Sequence, residues 1–190
     1  MILATTELEK LKNNIEGLNE RNIRGASIDL SLSESALARK NDAVLDLFDR
    51  DIDKNLQDLY TEIDLAKGYD LKPLQYLYGQ SAEKVTIPQD KCGILLPRST
   101  FARLGLILPI SSFVNPGYSG HLPIIIFNAS ASIVRIPPYI RIMQLLVCDL
   151  KGAAKPYEDY KDSKYQDDDL TLPNLCDEEI KEIFERLSGK

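Results

Sequence analysis

The sequence predicts a mainly β domain, either a barrel or a jelly-roll-like fold, with a helix near each end of the chain. Turn signals rich in Gly, Pro and Asp recur about every 8–12 residues, a spacing typical of many short strands. Prolines beside the predicted strands, among them Pro137 and Pro138, suit sheet edges and turns better than a parallel sheet. The 190 residues suit one domain, 1–190, and are enough to bury a hydrophobic core.

Composition excludes several classes of protein. A hydrophobic content of 44% and a charged content of 27% are ordinary for a soluble globular protein. No apolar run approaches the roughly 18–20 residues that cross a bilayer, and the N-terminus lacks the pattern of a signal peptide. A net charge of −6 argues against general nucleic-acid binding, although a local cluster of Arg and Lys can still hold a small anion. We therefore expect no membrane and no nucleic acid as partners.

Cysteine and histidine usage limits the chemistry further. Cys92, Cys148 and Cys176 are odd in number and far apart, which favours a reducing cytoplasm over a disulfide framework. His121 is the only histidine, and it is interpreted as a polar residue at a strand end. Because no C-x-x-C or H-x-E pattern occurs, we expect no zinc site of the type that many nucleobase deaminases use.

The N-terminal third is predicted to hold a helix followed by a strand. Residues 5–22 begin with a Thr-x-x-Glu-like cap and carry leucine and isoleucine at helical spacing, at Leu8, Leu11, Ile15 and Leu18. Residues 24–32 alternate apolar and polar side chains and are predicted to form a half-buried strand. Residues 34–72 lack a clear period, so we expect short strands with long connections there.

The rest of the chain is rich in strand signals until the tail. Segments 74–79, 84–88 and 92–97 are each predicted as strands, and two more are expected on either side of Pro137 and Pro138. A polar tail begins at residue 151, and the chain ends in a short amphipathic helix whose apolar face is Ile180, Ile183, Phe184 and Leu187.

The segment 97–128 carries the residues with the clearest chemistry. Arg98 and Arg103 flank Ser99 and Thr100, which together offer hydrogen-bond donors suited to phosphate oxygens. A surface turn with two solvated arginines is the alternative, and by pattern alone it is the more common case. In the turn that follows, Tyr118 can pack on a sugar or a base, although an ordinary turn with one aromatic remains open.

The combination of motifs is more specific than its parts. PRSTFARLGL is followed by NPGYSGHLPIIIFN and then RIMQLL, while GASIDLSL and YLYGQSAEKVTIPQD precede them and PYEDYKDSKYQ comes after. In this order they resemble the dCTP deaminase branch of the dUTPase superfamily over almost the whole chain. The tail motif resembles that branch rather than ordinary dUTPases, whose tail is glycine-rich.

The resemblance implies a distorted β-barrel of the dUTPase-like type, assembled as a homotrimer with nucleotide sites where subunits meet. It implies a deoxynucleoside triphosphate as ligand (dCTP, or dUTP or dTTP), bound together with Mg²⁺. It also implies that residues 151–190, the tail and helix, act as a lid.

Site residues follow from the resemblance position by position. The phosphate motif, in which Ser99 would also position the attacking water, is matched by Arg98, Ser99, Thr100 and Arg103. Tyr118 matches the aromatic beside the deoxyribose, and Gln144 matches a residue that supports the site. Triphosphate contacts from the tail are matched by Tyr157, Lys164 and Tyr165.

The sequence departs from the family pattern at its most important positions. Ile125 stands where the deaminases carry the glutamate that moves protons at the base, and isoleucine is neither acid nor base. Asn115 replaces an aspartate that both branches normally carry, although its amide can still hydrogen-bond a sugar hydroxyl. Residues 167–169, three aspartates, replace a Gln-Gly pair and are expected to repel a triphosphate unless magnesium or lysine intervenes. Pro137 and Pro138 replace a glycine.

Three functions therefore remain open at the level of sequence. The first is a working deaminase with a relocated carboxylate, for which Glu62 and Asp64 are the candidates. The second is a non-catalytic nucleotide-binding relative with a regulatory or partner-binding role. The third is an enzyme on a different nucleotide, such as a dUTPase-like pyrophosphatase. The dry, apolar surroundings of Ile125 favour the second, whereas analogy of fold favours the first.

Overall fold

The computed structural model describes residues 1–40, 44–46, 56–161, 163–173 and 178–187, with only the backbone described for 178–181. Within these residues the fold is mainly β, as predicted, with eleven strands and three α-helices. The helices are α1 (Thr5–Lys10), α2 (Ser99–Arg103) and α3 (Glu178–Leu187). The strands are β1 (Ile15–Glu16), β2 (Ile28–Arg39), β3 (Tyr60–Asp64), β4 (Tyr69–Leu71), β5 (Tyr76–Thr86), β6 (Lys91–Pro97), β7 (Leu106–Ile107), β8 (Phe113–Val114), β9 (Ser119–Asn128), β10 (Val134–Ile136) and β11 (Arg141–Asp149).

One curled antiparallel sheet of nine strands forms most of this structure. Its order is β7-β9-β5-β2-β11-β6-β8, with β1 added to β5 and β3 added to β2, while β10 and β4 form a separate pair. Register shifts interrupt the ladder between Leu32 and Ala36 of β2 and between Gln80 and Lys84 of β5. Because such bulges bend and twist a strand, they curl the sheet toward a distorted barrel.

Alternation along β9 separates the core from the site. Leu122, Ile124 and Ile126 point into the core and are at most 3% exposed. The intervening residues His121, Pro123 and Ile125 face the other side of the sheet and are only half-buried. Since β9 pairs with β5 along most of its length, the outer face of these two strands is available to form a pocket.

The predicted N-terminal helix is too long. Helix α1 ends at Lys10, and Ile15–Glu16 instead forms β1, which pairs with Val85 and Lys84 of β5. Backbone pairing with β5 and burial of Ile15 therefore override the helical spacing of the leucines. No capping box forms either, because the Thr5 hydroxyl donates to backbone carbonyls of residues 24 and 25.

Two strand predictions are corrected by the structure. Strand β2 extends to Arg39, and Asp29 and Ser31 are buried together with its apolar residues, so the strand is not half-buried. Their burial is tolerated because Asp29 has charged partners and Ser31 N donates to Glu83 Oε2 at 2.8 Å. Segments 74–79 and 84–88 are not separate strands but parts of the bulged strand β5.

The remaining predictions agree with the described residues. Strands β3 and β4 are short, as expected for 34–72, although 41–43 and 47–55 lie outside the described residues. Strands β10 and β11 lie on either side of Pro137 and Pro138. The C-terminal helix is α3, while Cys176 and the side chain of Ile180 lie outside the described residues. In the part of the chain described here, no helix is both long and apolar enough to cross a bilayer.

Candidate functional site

A cavity of about 560 Å³ lies beside β5 and β9, where outer-face residues such as Ile125 and the buried Leu122 both contribute to its wall. Six tyrosines line it: Tyr60, Tyr76, Tyr78, Tyr118, Tyr157 and Tyr165. Apolar side chains, including Leu122, Ile125 and Val114, complete much of the wall. An aromatic and apolar wall with few polar groups is typical of a pocket that takes a planar ring.

Five of the sequence-predicted site residues meet in this cavity. The structure brings together Asn115, Tyr118, Ile125, Tyr157 and Tyr165. Ile125 stands directly opposite Tyr78 in the β5–β9 ladder, so an aliphatic and an aromatic side chain form adjacent parts of the wall. The rings of Tyr118 and Tyr157 lie 5.8 Å apart at their centroids and are tilted by 59°. That these residues bind a ligand stays a prediction.

Sequence reasoning missed the tyrosines of β3 and β5. A signal was present, because Tyr76 and Tyr78 are two residues apart in a strand and therefore share a face. Tyr60 reaches the same cavity from β3, and its hydroxyl lies 3.0 Å from that of Tyr76. No local pattern in 34–72 indicates this contact, since it depends on the pairing of β3 with β2.

Two of the cavity tyrosines already donate their hydroxyl protons to groups inside the protein. Tyr78 Oη donates to Thr171 O at 2.7 Å, and Tyr118 Oη donates to His121 O at 2.9 Å. Burial raises the pKa of Tyr60, Tyr78 and Tyr118 well above the usual value of 10, so these rings stay neutral at physiological pH. The hydroxyls of Tyr78 and Tyr118 therefore offer a ligand acceptors rather than donors.

The C-terminal segment, residues 163–173, closes one side of the cavity. Asp167 N donates to Ser119 O at 2.7 Å, and His121 N donates to Asp168 O at 2.8 Å, which adds the segment to the start of β9. Just before the segment, Tyr157 N donates to Pro116 O at 2.8 Å. The hydroxyl of Tyr157 accepts bonds from the backbone N–H groups of residues 164 and 165. Backbone contacts therefore hold the segment against the turn that carries Tyr118.

The three aspartates at 167–169 have separate roles in this contact. Asp167 accepts a hydrogen bond from Lys84 Nζ at 2.9 Å, and Asp169 accepts one from Gln80 Nε2 at 2.7 Å. Asp168 is 5% exposed and lines the cavity. The sequence showed the acidic triplet but not that only its middle member faces the cavity, because that depends on how the segment joins β9.

The carboxylates proposed from sequence as replacements do not reach the cavity. Glu62 and Asp64 are exposed on β3, and neither lines the cavity wall. Asp64 instead accepts a hydrogen bond from Ala66 N at 3.0 Å and lies 3.1 Å from Lys67 Nζ, which lowers the pKa of its carboxyl. Within one chain, neither position therefore places a carboxylate in this cavity.

A cationic cluster forms around the carboxylate of Asp29, which is 2% exposed. Asp29 Oδ2 lies 3.1 Å from Arg141 Nη1, 3.4 Å from Arg24 Nε and 3.6 Å from Arg98 Nη1. Gln144 Nε2 donates to Asp29 Oδ1 at 3.4 Å. We call these five residues the Asp29 cluster. Three guanidinium groups face one carboxylate, so the cluster has excess positive charge at a partly exposed surface that suits an anion.

The predicted phosphate residues lie at this cluster and on the adjacent helix, not in the cavity. Arg98 is the residue before α2, which carries Ser99, Thr100 and Arg103 with exposed side chains. None of these four, nor Gln144, lines the cavity of the same chain. Lys164 belongs to the C-terminal segment and does not line the cavity either. One chain thus presents an aromatic cavity and a separate cationic surface.

No metal site is evident in the described part of the chain. Among those residues, no three His, Cys, Asp or Glu side chains lie together in a way that would hold a metal ion. His121 is used inside the sheet, where its Nδ1 lies 2.8 Å from Ser81 O.

Comparison with known proteins adds independent information. Residues 2–150 match the family model described as dCTP deaminase-like. The chain is 30% identical over 154 residues to a dCTP deaminase of Halorubrum lacusprofundi, covering 79% of this chain and 75% of that protein. It is 28% identical over 154 residues to a dUMP-forming dCTP deaminase of Sulfurihydrogenibium sp., covering 80% of this chain and 82% of that protein.

A solved structure supports the fold. The crystal structure of a 2'-deoxycytidine 5'-triphosphate deaminase from Agrobacterium tumefaciens matches with a TM-score of 0.63 at 22% identity. The match covers 77% of this chain and 46% of that chain, so this chain spans about half of the matched structure. At this identity the likeness concerns the fold, a curled β-sheet with few helices.

Proposed function

Because the chain belongs to the dCTP deaminase-like family, we propose that it binds a deoxynucleoside triphosphate: dCTP, or dUTP or dTTP. One observation carries this proposal: Asn115, Tyr118, Ile125, Tyr157 and Tyr165, which are far apart in sequence, line one cavity. The aromatic rings suit the sugar and base, and the Asn115 amide can hydrogen-bond a sugar hydroxyl. The cytoplasm, where such nucleotides are made, is the expected location.

The phosphates are bound by a second copy of the chain. The Asp29 cluster and α2 do not line the cavity of their own chain, so a neighbouring subunit must bring them to it. Exposed apolar side chains around α2 and β8, at Leu96, Leu104, Ile107 and Phe113, suit burial between copies. A homotrimer with three equivalent sites meets both requirements. Magnesium bound together with the phosphates would neutralise part of their charge beside the aspartates of the C-terminal segment.

This chain lacks the β9 glutamate that transfers protons at the base in the deaminases. Ile125 has no acid or base group, and general acid–base catalysis typically contributes about 10²–10⁴-fold in rate. Asn115 cannot replace the aspartate that would activate water for pyrophosphate release. The protein is therefore a nucleotide-binding relative of the deaminases with a regulatory or partner-binding role. It is neither an efficient deaminase nor a dUTPase-like pyrophosphatase.

Titration calorimetry with dCTP, dUTP and dTTP in the presence of magnesium tests the proposal. We expect binding, with loss of cytosine absorbance from dCTP no faster than in a protein-free control. Arg103→Ala should weaken binding about 10- to 100-fold, because a hydrogen bond to a charged group contributes about 1.5–3 kcal/mol. Arg135→Ala is the matched control, since Arg135 is engaged with Asp70 and Lys67 on the separate β4–β10 pair.

Three results would contradict the proposal. Absence of any nucleotide binding would leave the cavity without its assigned ligand. Equal affinity in Arg103→Ala and wild type would show that the phosphates bind elsewhere. A monomer by light scattering, with full affinity for nucleotide, would remove the need for a second copy.

A further inference from the structure

Asp168 differs from every other described residue that lines the cavity, because it alone carries a charged side chain there. Its Oδ1 accepts a hydrogen bond from Thr171 N at 3.0 Å. Among the described residues, no hydrogen bond reaches its other oxygen, Oδ2. Asp168 is only 5% exposed, so solvent has little access to Oδ2. A ligand that donates a hydrogen bond to this oxygen would satisfy it.

The two tyrosines that interact electrostatically with Asp168 do not satisfy that oxygen. The hydroxyl protons of Tyr78 and Tyr118 are directed at backbone carbonyls of residues 171 and 121. Ile125, Leu122 and Pro123 provide no donor. A ligand that places an N–H group against Oδ2 therefore matches this part of the cavity best.

We propose that Asp168 is the specificity-determining residue of the cavity, and that its Oδ2 accepts a hydrogen bond from an exocyclic amino group on the ring of the ligand. The cavity then selects an amino-bearing pyrimidine, such as cytosine, over one that presents a carbonyl oxygen at the same position. Carbonyl and carboxylate oxygens are both acceptors, so a uracil or thymine ring places an acceptor against the carboxylate at the position where cytosine places its amino group. This inference rests on the proposed function only in taking the ring to be part of a deoxynucleotide.

The carboxylate that meets the ring is carried by the segment that closes the cavity. Asp168 reaches its position because its backbone joins β9 at Gly120 and His121. Recognition of the amino group and closure of the segment are therefore coupled: the ligand that pairs with Oδ2 also stabilises the docked segment.

Asp168→Asn provides a sharp test because the hydrogen bond from Thr171 N fixes which way the new amide group points. Thr171 N–H needs an acceptor, so the amide oxygen takes the place of Oδ1 and the Nδ2 group, a donor, takes the place of Oδ2. The ratio of dCTP to dUTP affinity should fall by about 10- to 100-fold, through weaker cytosine and stronger uracil binding. Asp167→Asn is the matched control, because it removes the same charge one residue away, at an exposed side chain bonded to Lys84. Its ratio should stay at the wild-type value.

A ligand-side measurement tests the same contact without any variant. In wild-type protein, deoxycytidine should bind more tightly than deoxyuridine. N4,N4-dimethyl-deoxycytidine, which has no amino N–H, should lose that advantage. Equal affinities for the three nucleosides, or an unchanged dCTP-to-dUTP ratio in a folded Asp168→Asn variant, would overturn the inference.

The outcomes separate this inference from the proposed function. If triphosphates bind more tightly than nucleosides but show no preference for cytosine, the role of Asp168 is wrong and nucleotide binding stands. If cytosine is preferred through Asp168 but the triphosphate adds no affinity, the assigned phosphate site is wrong and the role of Asp168 stands. If neither nucleosides nor nucleotides bind, both are wrong.

Discussion

Gly120 of β9 and Asp168 of the C-terminal segment lie side by side in a parallel β-bridge, so close that a Cβ on Gly120 would lie 2.7 Å from Asp168 N. Gly120 has φ +154°, a conformation that L side chains rarely adopt, and the same Cβ would lie 2.7 Å from Tyr118 Oη. A glycine is therefore required where the cavity wall, Tyr118 and the C-terminal segment meet.

Gly120→Ala is expected to detach the C-terminal segment from β9 while leaving the sheet folded. The Cβ meets backbone on one side and a buried ring on the other, so neither neighbour can move without breaking contacts. Trypsin cleavage after Lys161 or Lys164 should become about 5- to 30-fold faster, which corresponds to a loss of about 1–2 kcal/mol in the docking equilibrium.

Gly25→Ala serves as the control for that experiment. Gly25 has an ordinary backbone conformation, and a Cβ there would meet nothing within 4 Å. Its cleavage rate should match wild type. An equally slow rate in Gly120→Ala would mean that the segment is held by contacts other than this bridge.

Asp29→Ala is expected to destabilise the protein strongly. The carboxylate is buried among three guanidinium groups, and its removal leaves Arg24, Arg98 and Arg141 to repel one another. Removal of one partner from a buried ion pair costs about 3–5 kcal/mol. The free energy of unfolding in urea should fall by that amount. Asp90→Ala, at an exposed carboxylate paired with Lys91, is the control and should leave the urea midpoint nearly unchanged. Similar midpoints in both variants would show that the Asp29 cluster is not structural.

Glu83 is expected to make stability depend on pH. Burial raises the pKa of its carboxyl above the ordinary value of 4.5, although Ser31 N donates to it and His121 lies near. A carboxyl with a raised pKa in the folded state stabilises the fold below 4.5, and that contribution is lost as pH rises through the raised pKa. Glu83→Gln keeps an oxygen for Ser31 N but does not titrate. In urea unfolding from below pH 4.5 to neutral, the variant should gain stability relative to wild type as pH rises. Parallel curves would contradict the raised pKa.

The fold class could be predicted from sequence because turn signals and alternation are local properties. The strands around Pro137 and Pro138 and the turn at Asn115–Gly120 were all visible in this way. The end of the first helix could not be predicted in this way. The helix stops before Ile15 because Ile15 pairs with Val85 of β5, which lies 70 residues away in the chain. Local spacing carries no information about such a partner.

In the candidate site, too, local features could be predicted from sequence, whereas features set by distant contacts could not. Motifs could indicate that Tyr118 and Ile125 line one cavity, since Tyr118 directly precedes β9 and Ile125 lies within it. Asp168 could not be separated from Asp167 and Asp169, because its place in the cavity is set by backbone hydrogen bonds to β9. For the same reason the sequence could not show that Glu62 and Asp64 lie outside the cavity of their own chain.

Ile125→Glu tests whether a carboxylate at this position is enough to give the protein deaminase activity. Ile125 lines the cavity beside Tyr78, so a glutamate there would extend into the same space. If the ring of dCTP binds as proposed, release of ammonia and loss of cytosine absorbance should appear in the variant and be about 10²–10⁴-fold above wild type. Ile125→Gln, which has the same shape but cannot transfer protons, should remain at the wild-type rate. Binding of dCTP by Ile125→Glu without any turnover would show that the water site has diverged as well, with Asn115 as the first position to restore to aspartate.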